Sequence, residues 1–165
     1  MRLHLNKLFA LLLLLTVSQT YAQDSVAIED LKLIMGTWTG SLTYVDYSSN
    51  EPYTMPANLQ VGPGKTEDEL VLFYSYPNEP KANSKGKIKL SKDGRKLNKE
   101  SVVSKETLAD GSVQITTEYR GKDNNKEALI RGIYVLGKSV CVIRKEVKYD
   151  DSQTWLKRNE YSFSR

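Results

Sequence analysis

The chain has 165 residues, of which 39% are hydrophobic and 27% are charged, and its formal net charge is +4. This composition is typical of one globular domain that buries its own core, and it excludes a coiled coil, a repeat array and a disordered tail. The single cysteine excludes an intrachain disulfide and any metal site built from a cysteine cluster.

The first 22 residues have the pattern of a secretory signal peptide. Arg2 and Lys7 precede an unbroken apolar run over residues 8–15, and Thr20-Tyr21-Ala22 supplies small residues before Gln23. The run is shorter than the roughly 20 residues that cross a bilayer, and no second run of that length follows. We therefore expect removal of residues 1–22, a single domain over residues 23–165, no membrane span, and a periplasmic or extracellular location.

Removal of this segment would leave 22 basic and 20 acidic residues, and no histidine, because the one histidine is His4. A net charge of +2 gives little reason to expect a nucleic-acid partner, since nucleic-acid-binding domains are usually strongly basic. The absence of histidine excludes Ser-His and Cys-His pairs and His-ligated zinc within one chain. We therefore expect a non-enzymatic protein without metal or other cofactor.

The first predicted element after this segment is a short helix over residues 26–35, which Asp24 or Ser25 can cap. After Gly36 the hydrophobic period changes from helical spacing to two, as in a strand with one buried face. The same alternation continues to Arg165 and predicts about nine strands. They lie near residues 37–44, 54–61, 70–76, 85–90, 100–108, 112–119, 128–136, 140–149 and 155–165.

The connections between these strands are short, and several carry turn signals. Asp93-Gly94 and Asp110-Gly111 favour tight turns, because glycine adopts positive φ at no steric cost. Pro56 indicates a bulge or a weak edge within its strand. No helix long enough for a parallel crossover lies between the strands. The pattern predicts an all-β fold, an antiparallel up-and-down barrel of about 8–10 strands with a short N-terminal helix, and a two-sheet sandwich is the alternative.

A family resemblance rests on Gly36-Thr37-Trp38, which stands between the short helix and the first strand. It resembles the Gly-x-Trp signature of the calycins, which include lipocalins and fatty-acid-binding proteins, and Thr117-Glu118-Tyr119 is similar to a second lipocalin signature. The resemblance implies a small exported bacterial lipocalin-like domain in which a late basic side chain closes the barrel floor over the tryptophan. If the last strand pairs antiparallel with the first, Arg165 meets Trp38 as a barrel-closing pair.

Tyrosines and one arginine are the candidates for a ligand-binding interior. Inward-pointing tyrosines would give a cavity apolar walls and hydroxyl groups, which suits an amphipathic ligand. Arg131 and Arg144 lie mid-strand among apolar residues, and an inward guanidinium would anchor a carboxylate or phosphate. The ligand-lining candidates are Tyr44, Tyr74, Tyr119, Tyr134, Tyr161 and Arg144.

The largest charge feature is the segment over residues 81–105, with eight lysines and Arg95 against Asp93 and Glu100, a local net charge of +7. Lys85, Lys87 and Lys89 alternate along one predicted strand. They could bind an anionic surface such as lipid headgroups or acidic glycans, or simply form a solvated edge that resists strand pairing.

Three functions remain open from the sequence, and one of them is an enzyme that uses carboxylate or tyrosine chemistry. The leading hypothesis is binding of a small hydrophobic or amphipathic molecule inside the barrel. The alternative is a filled barrel that acts as an interaction or inhibitor module for a protein, glycan or lipid surface. The sequence does not decide the oligomeric state.

Overall fold

The computed structural model describes residues 25–165 and confirms an all-β, antiparallel barrel with one short helix, α1 (Ile28–Lys32). A single turn of 3₁₀ helix, Pro80–Ala82, interrupts the strands. The ten strands are β1 (Gly36–Val45), β2 (Pro52–Pro63), β3 (Glu69–Ser75), β4 (Ser84–Lys89), β5 (Lys96–Leu97), β6 (Glu100–Thr107), β7 (Val113–Asp123), β8 (Lys126–Leu136), β9 (Val140–Tyr149) and β10 (Leu156–Ser164).

All ten strands belong to one sheet, in the order β4-β3-β2-β1-β10-β9-β8-β7-β6-β5. The first and last strands are therefore neighbours in its middle, with Gly40 opposite Phe163. The two edges approach each other where Leu90 forms an isolated bridge with Leu97, so that the barrel is nearly closed. The protein therefore forms one curled sheet, and the alternative prediction of a two-sheet sandwich is wrong.

The core is formed by the apolar residues that recur at every second position, because alternate side chains of a strand point to opposite faces of the sheet. Every strand contributes at least one buried inward side chain. The buried inward residues are Trp38, Met55, Ala57, Leu59, Val61, Leu70, Leu72, Ile88, Leu97, Val102, Val113, Ile115, Tyr134, Leu136, Cys141 and Phe163. Cys141 is a small, completely buried side chain of this core.

The segment around α1 closes one end of the barrel, here called the helix end. Leu31 and Ile34 have no exposed surface, and the Val26 N–H donates to Gly94 O at 3.0 Å. The helix is shorter than the predicted 26–35 and its N-cap is Ala27, whose N–H donates to Asp30 Oδ2 at 2.7 Å. Ser25 is therefore not the cap, because the Asp30 carboxylate satisfies the free backbone N–H.

Arg165 and Trp38 meet at the helix end, in the arrangement that the sequence predicts. The guanidinium carbon lies 4.1 Å from the centroid of the indole ring, whose Nε1 donates to Ile34 O at 2.8 Å. Arg165 also donates to the carbonyl oxygens of Met35, Leu33 and Lys138. Its planar group thus joins β10 to the segment that follows α1.

The predicted signal peptide over residues 1–22 and the candidate cap Asp24 lie outside the described residues. Within residues 25–165, no helix is long and apolar enough to cross a membrane.

Candidate functional site

The barrel interior is filled near the helix end and partly accessible near the opposite end, here called the loop end. Leu97, Ile115 and Leu136 have no exposed surface. Toward the loop end, the inward side chains that pack on the core are only partly buried: Leu42, Tyr44, Tyr74, Ile143 and Tyr161. A depression of about 310 Å³ opens beside them. It is lined by Leu42, Tyr44, Val45, Asp46, Tyr47, Arg158, Asn159 and Tyr161.

The predicted tyrosines occupy this region. Tyr134 belongs to the buried core, and Tyr44, Tyr74 and Tyr161 pack against it. Tyr119 follows Ile115 and Thr117 on the same face of β7, yet 37% of it is exposed. These five tyrosines therefore lie on the inner faces of their strands, as the alternation in the sequence predicts. Tyr119 lies at the rim of the interior.

Tyr161 is the centre of an aromatic wall. Its hydroxyl lies 2.7 Å from that of Tyr76, and its ring centroid lies 4.7 Å from that of Tyr74 and 5.7 Å from that of Phe163. Burial raises the pKa of Tyr74, and burial together with the hydrogen bond to Tyr76 raises the pKa of Tyr161. These phenols stay neutral at physiological pH, so the wall offers apolar ring faces and uncharged hydroxyl groups.

A polar cluster stands beside this wall at the loop end, with the Asp123 carboxylate at its centre. Tyr47 Oη and Lys145 Nζ donate to Asp123 Oδ1 at 2.8 and 2.7 Å. Tyr149 Oη and Arg158 Nε donate to Oδ2 at 2.7 and 3.0 Å. The Asp123 and Arg158 side chains are 1% and 7% exposed. The cluster joins the β1–β2 connection to β7, β9 and β10.

The charges of this cluster do not cancel. Burial disfavours the ionised form of Asp123, but the hydrogen bonds from Lys145, Tyr149 and Tyr47 outweigh it and lower its pKa to about 2. One carboxylate therefore faces two cations. Arg158 is further enclosed by the ring of Tyr47, whose centroid lies 4.3 Å from the guanidinium carbon. Lys145 is the more accessible cation, with 32% of its side chain exposed.

Glu100 supplies a second carboxyl group on the inner face. Its Oε2 accepts a hydrogen bond of 2.8 Å from the Thr117 hydroxyl, and burial raises its pKa despite that bond. The Thr117 hydroxyl fits there because Gly132 on the neighbouring strand lacks a side chain: a Cβ at Gly132 would lie 2.7 Å from Thr117 Oγ1. The loop-end interior therefore combines aromatic walls with both acidic and basic groups.

Arg144 does not line the interior, contrary to the expectation from the sequence. It donates through Nε to Glu160 Oε2 and lies 3.4 Å from Glu146 Oε1 on the outer face of β9 and β10. Its inward neighbours along β9 are Ile143 and Lys145. Glu146 also lies 3.9 Å from Arg131, which supports the outward orientation of both arginines. They belong to a row of ion pairs on the barrel exterior.

Sequence reasoning missed Asp123, Lys145, Arg158 and Glu100 as interior residues. The polar run Asp123-Asn124-Asn125 has the composition of a turn, but the turn is the pair Asn124-Asn125, both with positive φ, so β7 continues to Asp123. Asparagine tolerates this conformation, and an Asn-Asn pair between alternating segments is the signal that could have extended the strand.

No group of histidine, cysteine, aspartate or glutamate side chains within residues 25–165 is arranged to hold a metal ion. No protein-family model matches the sequence, and no curated protein matches it. A search of solved structures finds the crystal structure of Rv2717c from M. tuberculosis, with a TM-score of 0.55 and 11% identity over 86% of this chain and 99% of that chain. At this identity the likeness concerns the fold alone.

Proposed function

We propose that this chain is an exported, lipocalin-like barrel of the calycin type that binds a small hydrophobic or amphipathic molecule inside its loop end. Binding would sequester the molecule without chemical turnover. The Gly-x-Trp resemblance and the closure of Trp38 by Arg165 support the calycin assignment. The pattern of residues 1–22 supports export.

The observation that carries the proposal is the partial exposure of apolar side chains inside the barrel. Leu42, Ile143 and Tyr161 face inward and pack on the core, yet water reaches each of them. A buried apolar ligand would remove this surface from water, which stabilises a complex by about 25 cal/mol per Å². The helix end is filled, so the ligand would enter from the loop end.

The polar groups beside this surface favour an amphipathic ligand over a purely apolar one. Lys145 lies opposite Asn159 in the register of β9 and β10, and its ammonium has one hydrogen-bond partner, Asp123, within residues 25–165. Its remaining N–H groups and the Asn159 amide can bind the polar end of a ligand. The apolar part would then lie against Tyr161 and Ile143.

A pair of adjacent tryptophan substitutions tests the site. Ile143→Trp would fill the loop-end interior, whereas Val142→Trp places the same side chain on the opposite face of β9. A fluorescent fatty-acid analogue should bind the Val142→Trp variant as tightly as the wild-type protein. It should bind the Ile143→Trp variant at least tenfold more weakly. Circular dichroism and thermal unfolding of both variants would verify that each remains folded.

Native mass spectrometry of the protein isolated from its own compartment provides an independent test. We expect a reproducible one-to-one complex with a lipid-like mass that denaturation releases. A ligand-free mass together with no binding of the fluorescent analogue would refute interior binding. That result would favour the filled barrel as an interaction module.

A further inference from the structure

The outer surface of β4 and β5 carries a basic groove of about 730 Å³, whose lining shares no residue with the tyrosine-lined depression at the loop end. Lys87 and Lys89 lie along β4, Lys96 lies on β5, and Lys99 lies in the turn between β5 and β6. The complete lining is Lys87, Lys89, Leu90, Ser91, Lys96, Asn98 and Lys99. The groove therefore holds four ammonium groups and no acidic side chain.

The neighbouring carboxylates compensate only part of this charge. Lys87 Nζ lies 3.2 Å from Glu69 Oε2, and Lys89 Nζ lies 3.8 Å from Asp68 Oδ2. Lys96 and Lys99 form no ion pair with any residue of the described chain, 25–165. Two positive charges in the groove are thus available to a partner.

The backbone at Lys99 shows that this lysine occupies an unfavourable position. Its φ is +76°, in the left-handed region that residues with a Cβ disfavour. Every other non-glycine residue of positive φ in the described part is an asparagine: Asn50, Asn98, Asn124 and Asn125. Lys99 makes no side-chain hydrogen bond within residues 25–165 that would offset this strain, so its ammonium is placed in the groove at a cost in folding.

The turn that carries Lys99 is nevertheless fixed. The Asn98 side chain accepts a hydrogen bond from the Lys89 N–H at 2.9 Å and donates to Lys87 O at 3.1 Å. These bonds attach the turn to the edge of β4, where no strand pairs with it. The backbone positions of the four lysines are therefore fixed relative to one another, which reduces the backbone entropy lost when a partner binds.

We propose that this groove binds an acidic polysaccharide. Lys87 and Lys89 are about 7 Å apart along β4, and Lys96 and Lys99 extend the positive charge across the groove, which suits a linear polyanion. Lysine is a hydrated point charge, which favours electrostatic attraction along a polyanion over paired hydrogen bonding to one phosphate or carboxylate. Ser91 and the aliphatic parts of the lysines would contact the sugar rings.

Two other anionic partners fit the groove less well. A single-stranded nucleic acid would require aromatic side chains for base stacking, and the groove lining contains none. An anionic bilayer is a broad surface that basic proteins usually contact with exposed apolar side chains, whereas Leu90 in this groove is 6% exposed. A flexible chain of acidic sugars matches this basic groove.

Binding of a defined oligogalacturonate, measured by calorimetry at low and at physiological salt, tests this proposal. The double variant Lys96→Gln/Lys99→Gln should bind about tenfold more weakly, since two uncompensated charges are lost. The matched control Lys138→Gln/Lys148→Gln removes the same charge elsewhere and should bind within twofold of wild type. Neutral cello-oligosaccharides of equal length should not bind.

Lys99→Gly removes the ammonium without disturbing the turn, because glycine adopts positive φ without strain. Weaker binding by this variant could therefore not result from a loss of stability. We expect this variant to unfold at a higher temperature than wild type and to bind oligogalacturonate several-fold more weakly. Unchanged affinity in both groove variants would overturn the proposal. So would tighter binding of a single-stranded oligonucleotide or of vesicles containing phosphatidylserine that depends on Lys96 and Lys99.

Discussion

The Lys145 ammonium lies 2.7 Å from Asp123 Oδ1 on the inner face of the barrel, while Arg158 approaches the other carboxylate oxygen at 3.0 Å. Two cations from adjacent strands thus share one buried carboxylate, and two phenol hydroxyls complete its hydrogen bonds. Each of these four side chains donates a hydrogen bond to Asp123. This polar cluster at the loop end is therefore organised around one carboxylate, that of Asp123.

Replacement of that charge should be strongly destabilising. Asp123→Asn leaves two cations facing a neutral amide, and we expect the free energy of unfolding to fall by about 2–3 kcal/mol. Urea denaturation followed by circular dichroism measures this loss. Tyr149→Phe removes one donor and no charge, so its effect should be near 1 kcal/mol. Equal effects of the two variants would contradict the central role of the charge.

The same carboxylate should make stability depend on pH in the acidic range. The pKa of Asp123 is lowered from 3.8 to about 2 in the folded protein, so its contribution is fully present above pH 3.8 and is lost as pH falls through about 2. The difference in stability between wild type and Asp123→Asn should therefore narrow on acidification over this range. Urea midpoints of both proteins across it provide the measurement. A constant difference would show that Asp123 is not the group that titrates.

Arg165→Ala should destabilise the helix end. It removes the cation over Trp38 and three hydrogen bonds to backbone carbonyl oxygens, at a cost of about 2 kcal/mol. Thermal unfolding reports the change. Arg120→Ala is a suitable control, because Arg120 forms an exposed pair with Asp150 and should contribute less than about 1 kcal/mol.

Cys141 should be unreactive in the native protein. The side chain is completely buried, and burial raises the pKa of its thiol to about 12. The thiolate is the nucleophile, so an aromatic disulfide reagent should react with the guanidinium-unfolded chain in seconds to minutes and with the folded chain only as fast as it opens. Rapid labelling in neutral buffer without denaturant would mean that β9 is exposed.

Arg144→Gln should leave ligand binding unchanged. Arg144 contacts Glu160 and Glu146 on the barrel exterior, so it neither lines nor supports the interior wall. The affinity for the fluorescent fatty-acid analogue should stay within twofold of wild type. Lys145→Gln, one residue further along β9 and facing inward, should weaken binding of an analogue with a negatively charged end. The reverse order of effects would mean that the register of β9 is shifted by one residue.

Alternation along the strands was sufficient to predict much of the fold. In β1, Trp38 and Tyr44 lie on the same face as small or apolar residues, and threonine and serine occupy the other face. Only the first face can therefore be buried. The antiparallel pairing of the first and last strands then places Arg165 beside Trp38. Pro56 lies in the part of β2 that has no partner in β3, which agrees with its interpretation as a weak edge.

The candidate site was harder to predict, because its residues come from segments without a clear apolar face. In β9, both faces carry apolar and charged residues, and the register places Arg144 opposite Glu160 of the next strand, on the outer face. Glu100 faces inward although a carboxylate is expected outside. The two-residue strand β5 has no periodicity to detect, and its pairing depends on Leu90 and the following turn.

The strand order has a consequence for how the chain folds. The centre of the sheet is formed by β1 and β10, so its most interior pairing connects residues more than a hundred positions apart, whereas the edges β4 and β5 are close in sequence. Closure of so long a loop is slow compared with hairpin formation. We therefore expect hairpins to form first and the β1–β10 seam last. Until β10 joins, β1 and β9 present unpaired edges, and refolding at high protein concentration competes with association through them.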